Sequence, residues 1–237
     1  MTLQEQNAKR WANCHISSQM GPAFEKVANR LMAVPAKARY QSVEKITGVP
    51  WWFIAVVHER EASQNWNTQL GQGDPLNKKS VHVPKGRGPF KTWEDGAVDA
   101  LVNCPPYAAK NKDWSVGGAL AMLEKYNGLG YASKGVPSPY IWAGTDQYTQ
   151  GKYIADGVYS PTAVDRQLGC AGLLKFMGVF KPGATTGAGP VIAAAGASGI
   201  WYYWQAFESH WVIYTLGLLT TSFIVDCLIY AYRNRKN

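Results

Sequence analysis

The sequence PWWFIAVVHERE at residues 50–61 changes from apolar to polar within a single stretch. Seven apolar residues are followed by the four polar residues HERE, and an apolar run of this kind is typical of a buried segment. The proline at position 50 suits the first turn of a helix, where its missing N–H costs nothing. We therefore predict a buried helix whose last turn carries the carboxylates of Glu59 and Glu61.

A carboxyl group held at the end of a buried helix is suited to acid catalysis. Burial disfavours the ionised form and can raise the pKa of a glutamate to about 6, the value that a general acid needs near neutral pH. The plainer interpretation is that Glu59 and Glu61 mark the point where a core helix reaches solvent. The stretch by itself does not separate these two interpretations.

Several further sequence blocks come after the start of this helix in a definite order. They are H-x-x-EAS at 58–63, GDPL at 73–76, VPKGRGPF at 83–90, YNGLGY at 126–131, PSPYIW at 137–142 and GKY at 151–153. Across residues 25–178 these blocks resemble a bacterial and phage family of lysozyme-like peptidoglycan hydrolases. The resemblance implies a mainly α-helical, lysozyme-like domain. It also implies cleavage of the glycan strand at the β-1,4 bond between N-acetylmuramic acid and N-acetylglucosamine.

The same resemblance implies which glutamate is the acid. The sequence REAS at 60–63 is similar to the Glu-Ser motif of goose-type lysozymes and lytic transglycosylases, in which the glutamate is the general acid. We therefore expect Glu61 to be the catalytic acid. Glu59 is the alternative, because a His-Glu pair also opens other lysozyme-type active sites.

Two polar residues after the helix are candidates for a second catalytic role. Asp74 is the only carboxylate between Glu61 and Glu94, and it could orient a water or stabilise an oxocarbenium-like transition state. It could equally be a turn aspartate, since it stands between a glycine and a proline. Thr68 could position the same water or simply finish a strand.

The candidate substrate-binding residues are mostly aromatic. Tyr126 and Asn127 resemble the Tyr-Asn motif that lines the cleft of lytic transglycosylases. There the tyrosine hydroxyl supports the catalytic glutamate or a sugar N-acetyl group. A helix cap would explain the asparagine but not the tyrosine. Further candidate sugar platforms, each of which packing would also explain, are Tyr131, Tyr140, Trp142 and Tyr148.

Composition and charge narrow the choice of partners. The chain has ten tryptophans, thirteen tyrosines and a formal net charge of +8, which suit a carbohydrate cleft and a polyanionic partner. No glycine-rich phosphate loop, zinc-type Cys/His spacing or nucleic-acid module is present in the sequence. We expect a peptidoglycan glycan strand as substrate, with no cofactor, metal or nucleic acid. The four cysteines show no paired spacing, so free thiols are expected, with a Cys104–Cys170 bridge as the alternative.

The pattern of the chain predicts a catalytic domain over residues 1–180. Apolar spacing after position 24 predicts a helix, which Pro35 interrupts before a second helix. Residues 65–92 are rich in turn formers and predict a small β-hairpin or irregular lobe that forms one wall of the cleft. Later helices are expected over residues 93–104, 116–126 and 161–177.

The end of the chain has the composition of a membrane anchor. Residues 181–200 are predicted to form a Gly/Ala-rich linker, and residues 201–237 a membrane-spanning segment with a transmembrane helix over 211–231. That helix contains one charged residue, Asp226, and has aromatic residues at both ends. An amphipathic core helix is the alternative.

These features together predict a membrane-associated phage endolysin that acts in the periplasm or cell wall of a Gram-negative host. No signal peptide is recognisable in the first 20 residues, so a holin-type partner is expected to take part in release. The orientation in the membrane stays open. Two other functions also stay open: a lytic transglycosylase that gives 1,6-anhydro products, and a non-catalytic, membrane-anchored glycan-binding scaffold.

Overall fold

The computed structural model describes residues 1–71 and 73–180, which belong to the first of two units in the chain, Met1–Thr186 and Gly187–Asn237. This part of the protein is mainly helical. Its helices are α1 (Leu3–Asn13), α2 (Gly21–Met32), α3 (Val34–Thr47), α4 (Trp51–Ala62), α5 (Trp93–Asn103), α6 (Val116–Asn127), α7 (Gly130–Ser133), α8 (Pro139–Trp142) and α9 (Cys170–Phe176). A 3₁₀ turn covers Ala108–Lys110, and two antiparallel strands, β1 (Lys152–Ala155) and β2 (Val158–Ser160), form a hairpin.

Helix α4 lies at the centre of the core. Every side chain from Phe53 to His58 is fully buried, and α2, α3 and α9 pack around the helix. A helix that is apolar nearly all round needs neighbours on every side. The predicted helix start is confirmed, because Pro50 is the N-cap residue and Trp51 begins the helix.

Most of the other predicted helices are confirmed, and one is shorter than predicted. The break near Pro35 lies at Ala33, between α2 and α3, and α5 and α6 match their predicted ranges within a residue. The helix predicted over residues 161–177 is limited to α9. Residues 161–169 have no helical turns and pass beside α4 and α8. Gly169 there lies so close to the backbone of Ile141 that a Cβ atom would clash at 2.4 Å.

Helix α1 was not predicted, because its sequence is polar. It starts with a capping box in which Thr2 and Glu5 satisfy each other's backbone N–H groups. Buried Asn7 on α1 donates a hydrogen bond of 3.1 Å to buried Glu124 on α6. This polar contact joins the first helix to the core.

The lobe at residues 65–92 is irregular rather than a hairpin. A single isolated bridge pairs Thr68 with Pro75, and no strand forms within the described part of the lobe. The regular hairpin is β1–β2, about 60 residues after the end of the lobe. The prediction of an irregular lobe is therefore confirmed, and the hairpin lies elsewhere.

The predicted linker (181–200) and membrane-spanning segment (201–237) lie outside the described residues. Over residues 1–71 and 73–180, no helix is both long and apolar enough to cross a bilayer. Cys14, Cys104 and Cys170 are free and buried, so the alternative of a Cys104–Cys170 bridge is wrong.

Candidate active site

Glu61 lies in the last turn of α4, where the chain turns sharply away from the helix. Ser63 ends the helix in a left-handed conformation with φ of 50°, and Gln64 follows with φ of 59°. Gly73, whose φ is 69°, brings the lobe against the backbone carbonyl of Glu61. The glutamate is thus held between the core helix and the irregular lobe.

His58 fixes this turn from inside the core. Its Nε2–H donates to the carbonyl of Asn65 at 3.1 Å, and its Nδ1 accepts from the hydroxyl of Tyr40 at 3.0 Å. Burial between aromatic rings lowers the pKa of His58 to about 4, so the imidazole is neutral at pH 7. The histidine in the HERE sequence therefore holds the backbone of the turn through hydrogen bonds and does not act as a general acid.

The carboxyl group of Glu61 is shielded from solvent and accepts a hydrogen bond from one side chain, Tyr140. Burial raises its pKa to about 7, although the Tyr140 hydrogen bond and the charge of Arg60 both act to lower it. The Tyr140 hydroxyl donates to Glu61 Oε1 at 2.9 Å. A carboxyl group with a pKa raised to about 7 can still carry a proton near neutral pH, which is the condition for a general acid.

Tyr126 lies close enough to Glu61 for the charge of the carboxylate to affect the tyrosine hydroxyl. Burial, and then the Glu61 charge, raise the pKa of Tyr126 well above its usual value, so its hydroxyl stays protonated. The sequence predicts that this tyrosine could support the glutamate. The hydroxyl that bonds the carboxylate, however, belongs to Tyr140.

Tyr140→Phe is expected to raise the pKa of Glu61 above 7. The lost hydroxyl donates to the carboxylate and so stabilises the ionised form, and its removal favours the protonated form. The titration can be followed by ¹³C NMR of glutamate side chains, with Glu61→Gln used to assign the signal. An unchanged or lower pKa would contradict the assigned hydrogen bond.

An open cavity of about 480 Å³ lies beside this pair. The residues that line it include Arg60, Tyr140, Tyr131, Asn127 and the turn of the β1–β2 hairpin. Glu61 itself does not line the cavity, but its carboxyl group is hydrogen-bonded to Tyr140, which does. The turn of the β1–β2 hairpin forms one wall of this cavity.

Arg60 connects the cavity wall to the segment before α9. Its side chain is only 5% exposed, and it donates to Asp165 Oδ2 at 3.1 Å and to the carbonyls of Gln167 and Leu168. The guanidinium carbon lies 4.8 Å from the centre of the Tyr140 ring. Burial opposes ionisation of Asp165, yet the Gln167 N–H and Arg60 keep its pKa below the usual value. This ion pair holds Tyr140 in place against Glu61.

Glu59 has a different environment from Glu61. Its Oε2 accepts a hydrogen bond of 2.7 Å from Arg30, which also donates to the carbonyl of Ser63. Burial raises the pKa of Glu59, and Arg30 opposes that rise. The carboxylate thus forms an ion pair that ties α2 to the end of α4, whereas the carboxyl group of Glu61 contacts the cavity-lining Tyr140.

Asp74 and Thr68 are engaged within the lobe. Asp74 is buried, and it accepts from the backbone N–H groups of Val81 and His82 at 2.9 and 3.0 Å and contacts His82 Nδ1 at 2.8 Å. These hydrogen bonds, chiefly that from the His82 N–H, hold its pKa below the usual value. Thr68 donates to the carbonyl of Asn65 at 2.9 Å. Both residues therefore organise loops, and Asp74 remains ionised.

The remaining predicted substrate-binding residues divide into two groups. Tyr131 and Asn127 line the cavity, and the Tyr131 hydroxyl accepts a hydrogen bond of 3.0 Å from the N–H of Tyr153. Trp142 is fully buried in the core, so it has no face on which a sugar could stack and its predicted role is corrected to packing. Tyr148 is also buried, with its hydroxyl bonded to backbone groups.

Three functional features were not found by sequence reasoning. Tyr140 was expected as a sugar platform but bonds Glu61, while Arg60 and Asp165 were not singled out. The PSPYIW block gave the only signal for Tyr140. Nothing in the sequence signals that Asp165 lies beside a residue 105 positions earlier.

The site has no recognisable place for a metal ion. In the part of the chain that the structure describes, no three His, Cys, Asp or Glu side chains are grouped so that they could bind one. Comparison with protein-family models, curated proteins and solved structures finds no match to this chain. The function is therefore inferred from the residues and their geometry.

Proposed function

We propose that this chain cleaves the glycan strand of peptidoglycan at the bond between N-acetylmuramic acid and N-acetylglucosamine, with Glu61 as general acid. One observation carries the proposal: Glu61 has a pKa raised to about 7 and accepts a hydrogen bond from Tyr140 beside an open, tyrosine-lined cavity. Perturbed acids next to a cavity are characteristic of catalytic sites. The lysozyme-like resemblance of the sequence supplies the substrate class.

The first step is proton donation to the leaving oxygen. Protonated Glu61 gives its proton to the glycosidic oxygen as the C–O bond breaks, and positive charge develops at the anomeric carbon. The resulting carboxylate keeps the hydrogen bond from Tyr140. Because that bond favours the charged form, it stabilises the enzyme as the proton leaves.

Two routes lead on from the oxocarbenium-like state. In hydrolysis a carboxylate such as Asp74 directs a water to the anomeric carbon, which makes the protein a lysozyme. A second candidate function is lytic transglycosylation, in which the muramic acid's own 6-hydroxyl attacks the anomeric carbon, gives its proton to the Glu61 carboxylate and forms a 1,6-anhydro product. The engagement of Asp74 by the Val81 and His82 N–H groups favours this second route, because its Oδ2 already accepts both hydrogen bonds.

The experiment is digestion of purified Gram-negative sacculi by the full chain, with mass spectrometry of the soluble fragments. Disaccharide muropeptides with reducing ends would establish hydrolysis, and 1,6-anhydro ends would establish transglycosylation. Sacculi that bind the protein without any release of fragments would contradict the enzymatic proposal. They would support the alternative of a membrane-anchored glycan-binding scaffold.

We further propose that the chain acts as a membrane-associated phage endolysin in the periplasm, with a holin-type protein as partner. The support is the sequence of residues 211–231, whose length and single charge suit a bilayer span. Flotation of the full chain with lipid vesicles tests the anchor. Leu219→Lys with Phe223→Lys should abolish anchoring, since a charge at the bilayer centre costs about 3 kcal/mol. Unchanged flotation of that variant would contradict the anchor.

A further inference from the structure

The irregular lobe exposes two valines in a segment that also carries four exposed lysines. Residues 78–91, here called the lysine–valine loop, expose Val81 by 66% and Val83 by 80%. Its exposed lysines are Lys78, Lys79, Lys85 and Lys91. The two valines stand two positions apart in a segment with four lysines, so exposed apolar surface and positive charge occur together there.

The loop is ordered by its own hydrogen bonds. The Ser80 N–H donates to the Arg87 carbonyl at 2.8 Å, and the Ser80 hydroxyl donates to the Pro84 carbonyl at 2.8 Å. Asp74 binds the N–H groups of Val81 and His82 from beneath. With the backbone fixed on both sides, the two valines remain at the surface and do not fold back into the core.

The charge around the valines is positive and without local compensation. None of the four lysines forms an ion pair within the described part of the chain. Asp74, the only carboxylate in residues 62–93, is 4% exposed and engaged with the backbone. Arg87 is paired with Asp99 on α5, which anchors the loop to the helix. The exposed face of the loop therefore combines apolar side chains with unpaired positive charge.

We propose that the lysine–valine loop docks on an anionic lipid bilayer, with the two valines in the interfacial region and the lysines on the headgroups. A soluble or wall-bound polyanion would attract the lysines but would leave the valines in water. An anionic bilayer satisfies both, because lysines near its surface and apolar side chains below its headgroups each add affinity. The proposal does not depend on the chemistry proposed for Glu61.

The test is co-sedimentation of the full chain with phosphatidylcholine vesicles, with and without 30% phosphatidylglycerol. Val81→Ser with Val83→Ser should lower partition onto the anionic vesicles about tenfold, since transfer of apolar surface from water is lost. Val34→Ser with Ile46→Ser is the matched control, because those residues are 82% and 67% exposed on α3. The control should bind like the wild type.

The lysines are tested in the same assay. Substitution of Lys78, Lys79 and Lys85 by glutamine should lower binding to anionic vesicles about fivefold for each residue and leave binding to phosphatidylcholine unchanged. All variants are also compared in the Leu219→Lys, Phe223→Lys background, so that binding through residues 211–231 cannot mask the loop. Thermal melts confirm that each variant is folded.

Two outcomes would overturn the proposal. Equal partition of the loop variant and the matched control in both backgrounds would show that the valines do not enter the bilayer. Loss of binding to purified sacculi with no change in vesicle binding would identify the partner of the loop as a wall polymer instead.

Discussion

Glu61→Gln is expected to lower the rate of fragment release from sacculi by about 10³-fold, the range that a positioned general acid supplies. Glutamine keeps the size of the side chain and can still contact the Tyr140 hydroxyl, but it has no acidic proton to give. Binding to sacculi should therefore be retained while cleavage is lost. Rates from turbidity loss and fragment quantification, together with a sedimentation assay for binding, check both parts.

Glu59→Gln is the control for this experiment. Its carboxylate is held in an ion pair with Arg30, whereas Glu61 contacts Tyr140 in the cavity wall, so the Glu59 variant should still cleave sacculi. It should lose about 1–2 kcal/mol of unfolding free energy, because a charge-assisted hydrogen bond to a buried group is removed. Cleavage lost in Glu59→Gln and kept in Glu61→Gln would mean that the other glutamate is the acid.

The same Glu61→Gln variant should become more stable relative to the wild type as the pH rises. The pKa of Glu61 is raised in the folded state from the usual 4.5 to about 7, so its contribution to the stability of the wild type is fully present below pH 4.5. That contribution is lost as the pH rises through about 7. Above that pH the unfolding free energy of the wild type should have fallen, relative to that of the variant, by at most about 3 kcal/mol. Urea unfolding at pH 4.5 and pH 8 measures the difference, and an equal gap at both values would contradict the raised pKa.

Asp165→Asn is expected to cost about 3 kcal/mol of unfolding free energy. The change leaves the Arg60 guanidinium, whose side chain is 5% exposed, without its ion-pair partner in the interior. Removing one partner of a buried ion pair is strongly destabilising, because the remaining charge cannot recover its hydration. Denaturant titration measures the loss, and cleavage should also fall because Tyr140 packs on Arg60.

The matched control for this change is Asp156→Asn. Asp156 lines the same cavity and is exposed at the turn of the β1–β2 hairpin. Its substitution should change the unfolding free energy by no more than about 0.5 kcal/mol. If both variants unfold at the same urea concentration as the wild type, the Arg60–Asp165 pair is not a structural clamp.

The parts of the site that could be predicted from sequence are the local ones. Residues 50–61 determine a buried helix, and the positions of the glutamates in its last turn follow from the same twelve residues. A raised pKa for Glu61 follows from burial, which the apolar run before it already indicates. Local hydrophobic pattern therefore accounts for both the helix and its acid.

The contacts made across the fold could not be predicted in this way. Tyr140 meets Glu61 from 79 positions away, and Asp165 meets Arg60 from 105 positions away. Trp142 is a residue whose predicted role was wrong. A tryptophan can stack on a sugar, but this one is fully buried in the core, where no sugar can contact it. Residue type indicates which chemistry a side chain can perform, and only packing decides which side chains meet.

The central claim is that Glu61 donates a proton near neutral pH, and the pH dependence of kcat/KM for sacculus cleavage by the full chain tests it most directly. With the pKa of Glu61 at about 7, kcat/KM should fall about tenfold per pH unit above that value as the acid loses its proton. A rate that stays constant to pH 9, or the absence of any cleavage at pH 6, would contradict the assignment of Glu61 as the general acid.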